Sequence, residues 1–309
     1  MINKPIPPAK FRQIRPPNEN YTYFEDKDHH PFRHNATAFE LVNAGWLADF
    51  AMLAYGDEAF IKDKFDRFGL TAAGFILKFF SEQTTQCFVA HNDKFVVVSL
   101  RGTEIDNFRG ALADWIRNFE LIPEPDESGG SVHEGFRKDL KAVWQKVRDY
   151  LQPLLGTGTG RTLWITGHSL GAALATLAAE RAARDDAHFT VQGVYTYGSP
   201  RVGDERFKQA YVARGLDGIH YRFVYNVDVV PKIPPGEAYR HVGQVKFIDK
   251  DGHLHDEMPD EDDAGVEDLL ARLGHQSFAL LKNLLGFTIP APFANHAPIY
   301  YASHIWNNL

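Results

Sequence analysis

The chain has 309 residues, 44% of them hydrophobic and 24% charged, with 40 acidic against 33 basic side chains and a formal net charge of −7. This is an ordinary globular composition, long enough for one large α/β domain or two small ones. The acidic balance argues against a nucleic-acid binder, which needs a basic face, and the single cysteine, Cys87, excludes an intrachain disulfide.

In chain order, residues 1–35 are rich in proline and charge and are expected to form an extended N-terminal arm, followed by a single domain over 36–309. The opening MINKPIPPAKFRQIRPP lacks the apolar core, about 7–15 residues long, of a secretory signal. No apolar run reaches the roughly 18–20 residues of a membrane span. The expectation is a soluble chain, cytoplasmic or exported by another route, that touches lipid only peripherally.

From Ala36 to Tyr55, Phe39, Val42, Trp46, Phe50 and Leu53 recur at helical spacing and predict an amphipathic helix, with a shorter one over 57–68. Three short β-branched and aromatic runs follow, GFILKFFSE, TQCFVAHN and KFVVVSLRG, joined too closely for anything but antiparallel pairing. A long helix is predicted from VHEGFRKDLKAVWQKVRDYLQPLL, ended by GTGTG. Then strand and helix alternate: TLWITG, a helix over 169–184, TVQGVYTYG, DERFKQAYVARG and IHYRFVYN. Alternation across 132–225 implies parallel strands covered on both faces, so the predicted fold class is α/β with a central mixed, mostly parallel sheet. The acidic DKDGHLHDEMPDEDD at 249–263 reads as a solvated loop. An amphipathic helix is predicted over 266–285, its apolar face (Val266, Leu269, Leu270, Leu273, Leu280, Leu281, Leu284) packed on the core.

GHSLG, Gly167 to Gly171, fits G-x-S-x-G between a strand and an alanine-rich helix. That context is what a nucleophile elbow requires: a strained turn that lifts the Ser169 hydroxyl off the C-terminal edge of the sheet, with small neighbours letting strand and helix approach. The following helix aims its unpaired N–H groups and positive dipole end at the same place. Such a serine needs a base, and the base an orienting acid. Asp228 comes directly after the strand IHYRFVYN, in a loop stiffened by Pro231, Pro234 and Pro235, although loop aspartates without such a role are common. Six histidines lie further on: His241, His253, His255, His275, His296 and His304. Local pattern favours His296, in a loop able to return over the sheet edge, with His304 second. His168 and His133 are read as structural. His253 and His255, spaced i, i+2 among acids, give a metal-site alternative weaker than the solvated loop.

Several further pieces occur in one order: VVVSLRGT, VHEGF, YTYGSPRVGD and NVDVVPKIPP. Together with GHSLG they resemble the class 3 lipases, the filamentous-fungal triacylglycerol lipases and their bacterial relatives, over about residues 95–301. The resemblance implies an α/β-hydrolase fold and a Ser169–Asp228–His296 triad. It selects His296 because tyrosine follows within a few residues, as in HAPIYY. It also implies an oxyanion hole from Thr103 and the N–H of Leu170, and a lid before the long helix. Residues 104–113, EIDNFRGALA, set Ile105, Phe108 and Leu112 among charges and fit a short amphipathic lid. The function implied is ester hydrolysis through an acyl-enzyme with no cofactor and no metal, on triacylglycerol at a lipid–water interface. Soluble esters, feruloyl-type esters and phospholipids or galactolipids are alternative substrates, and a non-catalytic binding module is the alternative outside enzymes.

Overall fold

The computed structural model describes residues 2–83, 85–102, 123–185, 189–234, 236, 238–259 and 289–309. Eight strands form one sheet: β1 (Ile76–Glu82), β2 (Thr85–His91), β3 (Phe95–Leu100), β6 (Thr162–His168), β7 (Val191–Tyr197), β8 (His220–Tyr225), β9 (Gln244–Ile248) and β10 (Leu254–His255), neighbours in that order. β4 (Glu124–Pro125) and β5 (Ser131–Val132) pair apart from it. From β3 to β9 every pairing is parallel, while β1, β2 and β10 pair antiparallel at the two edges. The short β1–β2 and β2–β3 links admit only the antiparallel arrangement, and the longer connections after β3 allow the parallel one.

Eight helices are described, numbered here in chain order: α1 (Phe11–Ile14), α2 (Leu41–Leu53), α3 (Glu58–Arg67), α4 (Glu134–Leu155), α5 (Leu170–Asp185), α6 (Glu205–Ala213), α7 (Ala291–Ala294) and α8 (Pro298–Asn307). All six residues of β3 are buried, because helices cover both faces of the sheet. The period of two sends Val97 to the α2–α8 side, with Trp164, Tyr195 and Phe223, and Val96 and Val98 to the α4–α5 side, with Leu163, Ile165 and Val194. α3 starts where Asp57 caps it, its carboxylate accepting the Phe60 N–H at 2.7 Å.

Two elements depart from the sequence-based expectation. The first helix begins at Leu41 rather than Ala36 and has no solvent face, since twelve of its thirteen residues are buried. The sheet lies on one side of α2; α8 and the chain ahead of α2 lie on the other. That preceding chain is tied down by polar residues of α2: Asn43 exchanges two hydrogen bonds with the backbone of Arg33, Trp46 donates to the His30 carbonyl, and Asp49 accepts from the Tyr21 hydroxyl at 2.8 Å and from the Phe24 N–H. The acidic segment, expected as a loop, opens with a hairpin instead. Asp249 accepts from the N–H groups of Asp251 and His253, and Gly252 takes φ +91°, which turns the chain back so that Leu254 and His255 pair with β9. The lid segment 104–113, Thr103 and the predicted helix 266–285 lie outside the described residues. Among the described residues no helix is long and apolar enough to cross a membrane.

On α5, Glu180 is 1% exposed and sits between Arg184 (3.7 Å) and Arg214 at the end of α6 (3.4 Å). Burial pushes its carboxyl up to about 7 against the pull of both guanidinium groups. The native state therefore holds this proton more tightly than the unfolded chain. The associated stability is fully present below the ordinary glutamate pKa and is lost as pH rises through about 7. The urea midpoint of Glu180→Gln minus that of wild type is expected to become more positive from pH 4.5 to pH 8. A pH-independent difference would contradict this.

Candidate active site

The site is assembled at the C-terminal ends of β6 and β8 and on the link between α7 and α8. β6 runs through Gly167 and His168 into Ser169, whose φ of +59° makes the sharp turn before α5 begins at Leu170. A methyl at Gly167 would collide with the backbone of Gly171, and one at Gly171 with the carbonyl of Leu100. The two glycines of the motif are thus what lets strand and helix close around the serine. The Ser169 N–H donates to the Tyr197 carbonyl at 3.0 Å, and its own carbonyl accepts from Ala172 and Ala173. The side chain is consequently fixed in a turn braced from both sides.

Asp228 stands three residues past β8 and is fully buried. Its Oδ1 accepts the Val230 N–H at 2.9 Å, at the start of the 3₁₀ turn Val230–Lys232. Arg201, from the SPR segment, stitches this loop: its Nη1 donates to the carbonyls of Lys232 (2.6 Å) and Pro234 (2.7 Å), and its N–H donates to that of Ile233. His296 lies between α7 and α8 and is 1% exposed. Its Nδ1 is 2.9 Å from Asp228 Oδ2 and its Nε2 is 2.8 Å from Ser169 Oγ. A carboxylate only accepts, so the imidazole carries its proton on Nδ1 and offers the Nε2 lone pair to the serine hydroxyl. This chain of contacts can take the Ser169 proton onto Nε2 as Oγ forms a bond to an electrophile.

Sequence reasoning proposed Ser169, Asp228 and His296, and the structure brings these three together. The competing histidines lie elsewhere. His304 packs on Tyr225, ring centroids 4.8 Å apart; His241 donates to or accepts nothing from the serine, its Nε2 lying 2.7 Å from the Pro231 carbonyl. His253 and His255 flank Asp249 at 3.4 and 2.9 Å on the hairpin. His275 lies outside the described residues. Among the described residues no three His, Cys, Asp or Glu side chains are grouped so as to hold a metal ion. Leu170 is the first residue of α5, a position whose N–H has no acceptor within its own helix. Thr103, Ile105, Phe108 and Leu112 lie outside the described residues.

Two contributors went unnoticed in the sequence. The Tyr301 hydroxyl donates to Asp228 Oδ2 at 2.5 Å, so that one carboxylate oxygen serves both Tyr301 and His296. Burial, reinforced by the neighbouring Asp228, pushes the Tyr301 pKa well up and keeps its proton in place. Gly198, φ +57°, lies beneath the pair: a methyl there would come within 2.9 Å of His296 Nδ1 and 3.0 Å of Asp228 Oδ2. The adjacent tyrosines in HAPIYY and the glycine in YTYGSP were the available signals, but neither carries a spacing that names its partner.

Residues 97–238 match the family model described as Lipase (class 3). Among curated proteins, the secreted mono- and diacylglycerol lipase 1 of Fusarium solani is 34% identical over 159 residues, which is 50% of this chain and 44% of that one. The chain spans half or less of the length of the curated relatives it matches. Among solved structures, lipase II from Rhizopus niveus aligns at a TM-score of 0.58 with 26% identity, covering 67% of this chain and 80% of that one. The triacylglyceride lipase of Rhizomucor miehei aligns at 0.61 with 23% identity, covering 84% and 98%, a likeness of fold. The matched stretch holds the elbow of Ser169 and the loop of Asp228 on the parallel strands of the sheet, so this part of the chain is similar to the class 3 lipases, and the chain has an α/β-hydrolase fold.

Proposed function

We propose that this chain is a serine carboxylic-ester hydrolase that cleaves glyceride esters at a lipid–water interface. The observation that carries the reading is the continuous contact from Ser169 Oγ through His296 to Asp228, with the serine on a positive-φ elbow. The similarity of residues 97–238 to the class 3 lipases supports the choice of substrate. Ser169 Oγ attacks the ester carbonyl while His296 Nε2 takes its proton. Asp228 holds the ring and stabilises the imidazolium. The carbonyl oxygen becomes an oxyanion, for which the Leu170 N–H and Thr103 are the proposed donors. Preorganised donors about 3 Å from that oxygen are worth roughly 3–4 kcal/mol each. The imidazolium then gives its proton to the departing alcohol. Water, deprotonated by His296, releases the acid and restores Ser169.

Residues 104–113 are the proposed lid, with Ile105, Phe108 and Leu112 as its lipid-facing side. Hydrolysis of triolein is expected to rise steeply once an emulsion forms, and Phe108→Ser with Leu112→Ser to depress that activity more than hydrolysis of dissolved tributyrin. Saturation on dissolved tributyrin with triolein untouched would make the protein an esterase on soluble esters. Equal losses on the two substrates would remove the lid from the account.

A further inference from the structure

We infer that Tyr55 and His168 are positioning residues for His296, holding its backbone through one ordered pair of hydrogen bonds. The inference rests on the serine-hydrolase reading, because it assigns these residues to the base of that reaction. Tyr55 follows α2 and His168 ends β6, and they are 6% and 1% exposed. The Tyr55 hydroxyl is 2.8 Å from His168 Nδ1, and His168 Nε2 is 2.7 Å from the backbone carbonyl of His296.

The chemistry of the acceptor sets the direction of the whole chain. A carbonyl cannot donate, so Nε2 of His168 must carry hydrogen. Burial, with the His296 ring beside it, pushes the His168 pKa well down, so the ring is neutral and Nδ1 is a bare lone pair. Tyr55 therefore donates, and burial keeps its hydroxyl protonated. The groups around the His168 ring are Tyr55, His296 (ring centroids 4.6 Å apart) and Tyr301 (5.8 Å).

His296 needs this anchor because it belongs to neither neighbouring helix. Its N–H reaches back to the Phe293 carbonyl at 3.2 Å, while its own carbonyl lies ahead of α8, whose first residue, Pro298, has no N–H to offer. His168 supplies the missing partner. With both ends of the residue held, the direction of its Cα–Cβ bond is set, and so is the reach of Nε2 to Ser169. Tyr55 adds a second link: its hydroxyl lies against Gly102, just past β3, where a methyl would collide with it. One phenol thus references the end of β3 and the base to each other.

The test combines imidazole ¹⁵N NMR with kinetics on a dissolved p-nitrophenyl ester. His168 is expected to show the neutral, Nε2-protonated pattern unchanged from pH 5 to pH 9. His168→Leu should lower kcat by about 10–100-fold, as displacement of a reacting group on the order of 1 Å does, with KM within about twofold and the melting temperature near that of wild type. His168→Gln, whose amide N–H reaches the same carbonyl, should recover most of the rate. Tyr55→Phe should fall between them, and Tyr55→Phe with His168→Leu should cost no more than His168→Leu alone, since the two act as a unit. An Nδ1-protonated or titrating His168, or a His168→Leu enzyme within twofold of wild type, or a loss appearing in KM, would overturn the inference while leaving the hydrolase reading intact. A Ser169→Ala protein as active as wild type would overturn that reading and this inference with it.

Discussion

Under the proposed function, Ser169→Ala is expected to lower ester hydrolysis by roughly 10⁵–10⁶-fold, with the melting temperature nearly unchanged. The loss is expected to be that large because Oγ is the proposed nucleophile, and among the described residues it is the Ser169 hydroxyl that meets His296 Nε2. The remaining rate comes from whatever donors and binding contacts still stabilise the tetrahedral intermediate. The fold should tolerate the change, since the strain of the turn resides in the backbone at φ +59° and alanine is no larger than serine. The measurement is the turnover of p-nitrophenyl butyrate beside calorimetric melting of the same sample.

Asp228→Asn is expected to lower kcat by about 10⁴-fold, more than the loss of one hydrogen bond would cost, and the reason lies in which atoms face it. Asp228 Oδ1 accepts from the Val230 N–H, while Oδ2 faces both the Tyr301 hydroxyl and His296 Nδ1. An asparagine has one oxygen. Keeping it on Val230 turns the NH₂ toward His296, whose Nδ1 must then become an acceptor. The ring proton moves to Nε2, which now points a hydrogen at Ser169 instead of a lone pair, so the base is lost although no heavy atom has moved. Flipping the amide restores the His296 contact but sets the NH₂ against the Val230 N–H inside a fully buried loop. Either state is poor, so a conservative substitution becomes a large kinetic defect with KM little changed.

The parts of the site that sequence made legible are those whose geometry is local. The elbow can be read because strand, turn and helix are contiguous, and small residues at Gly167 and Gly171 leave a signature of close approach. Asp228 can be read because acids of this kind sit just past a strand, three residues after β8 ends. His296 stood out among six downstream histidines only weakly until the family resemblance was added, because its position depends on how α7 and α8 return over the sheet. Tyr55, His168 and Tyr301 had no local signal for their contacts. Tyr55 and His168 are 113 residues apart, His168 and His296 128, and Tyr301 and Asp228 73. Such pairs exist only once the layers have packed.

The fold shows the same division. Alternation of strand and helix gave the parallel centre of the sheet, and short links gave its antiparallel edge. Composition misled where one residue type concealed another. The charge density of 249–263 masked the Asp249 and Gly252 turn that makes a hairpin. In the N-terminal segment, prolines and charges surround Tyr21, Tyr23 and Phe24, each buried, and the full burial of α2 follows from what those aromatics and α8 cover. An amphipathic pattern reports which residues prefer the core, but it cannot report a second layer supplied by distant chain.

The proposed role of Ser169 as a nucleophile driven by His296 is tested by its stoichiometric capture. Incubation with a p-nitrophenyl alkylphosphonate lets Oγ bond to phosphorus as p-nitrophenolate leaves. One equivalent of p-nitrophenolate per chain, the phosphonyl mass on the peptide containing Ser169, and no release from Ser169→Ala are the expected results. Phosphonylation at another residue, or p-nitrophenolate released by Ser169→Ala at the wild-type rate, would contradict that role.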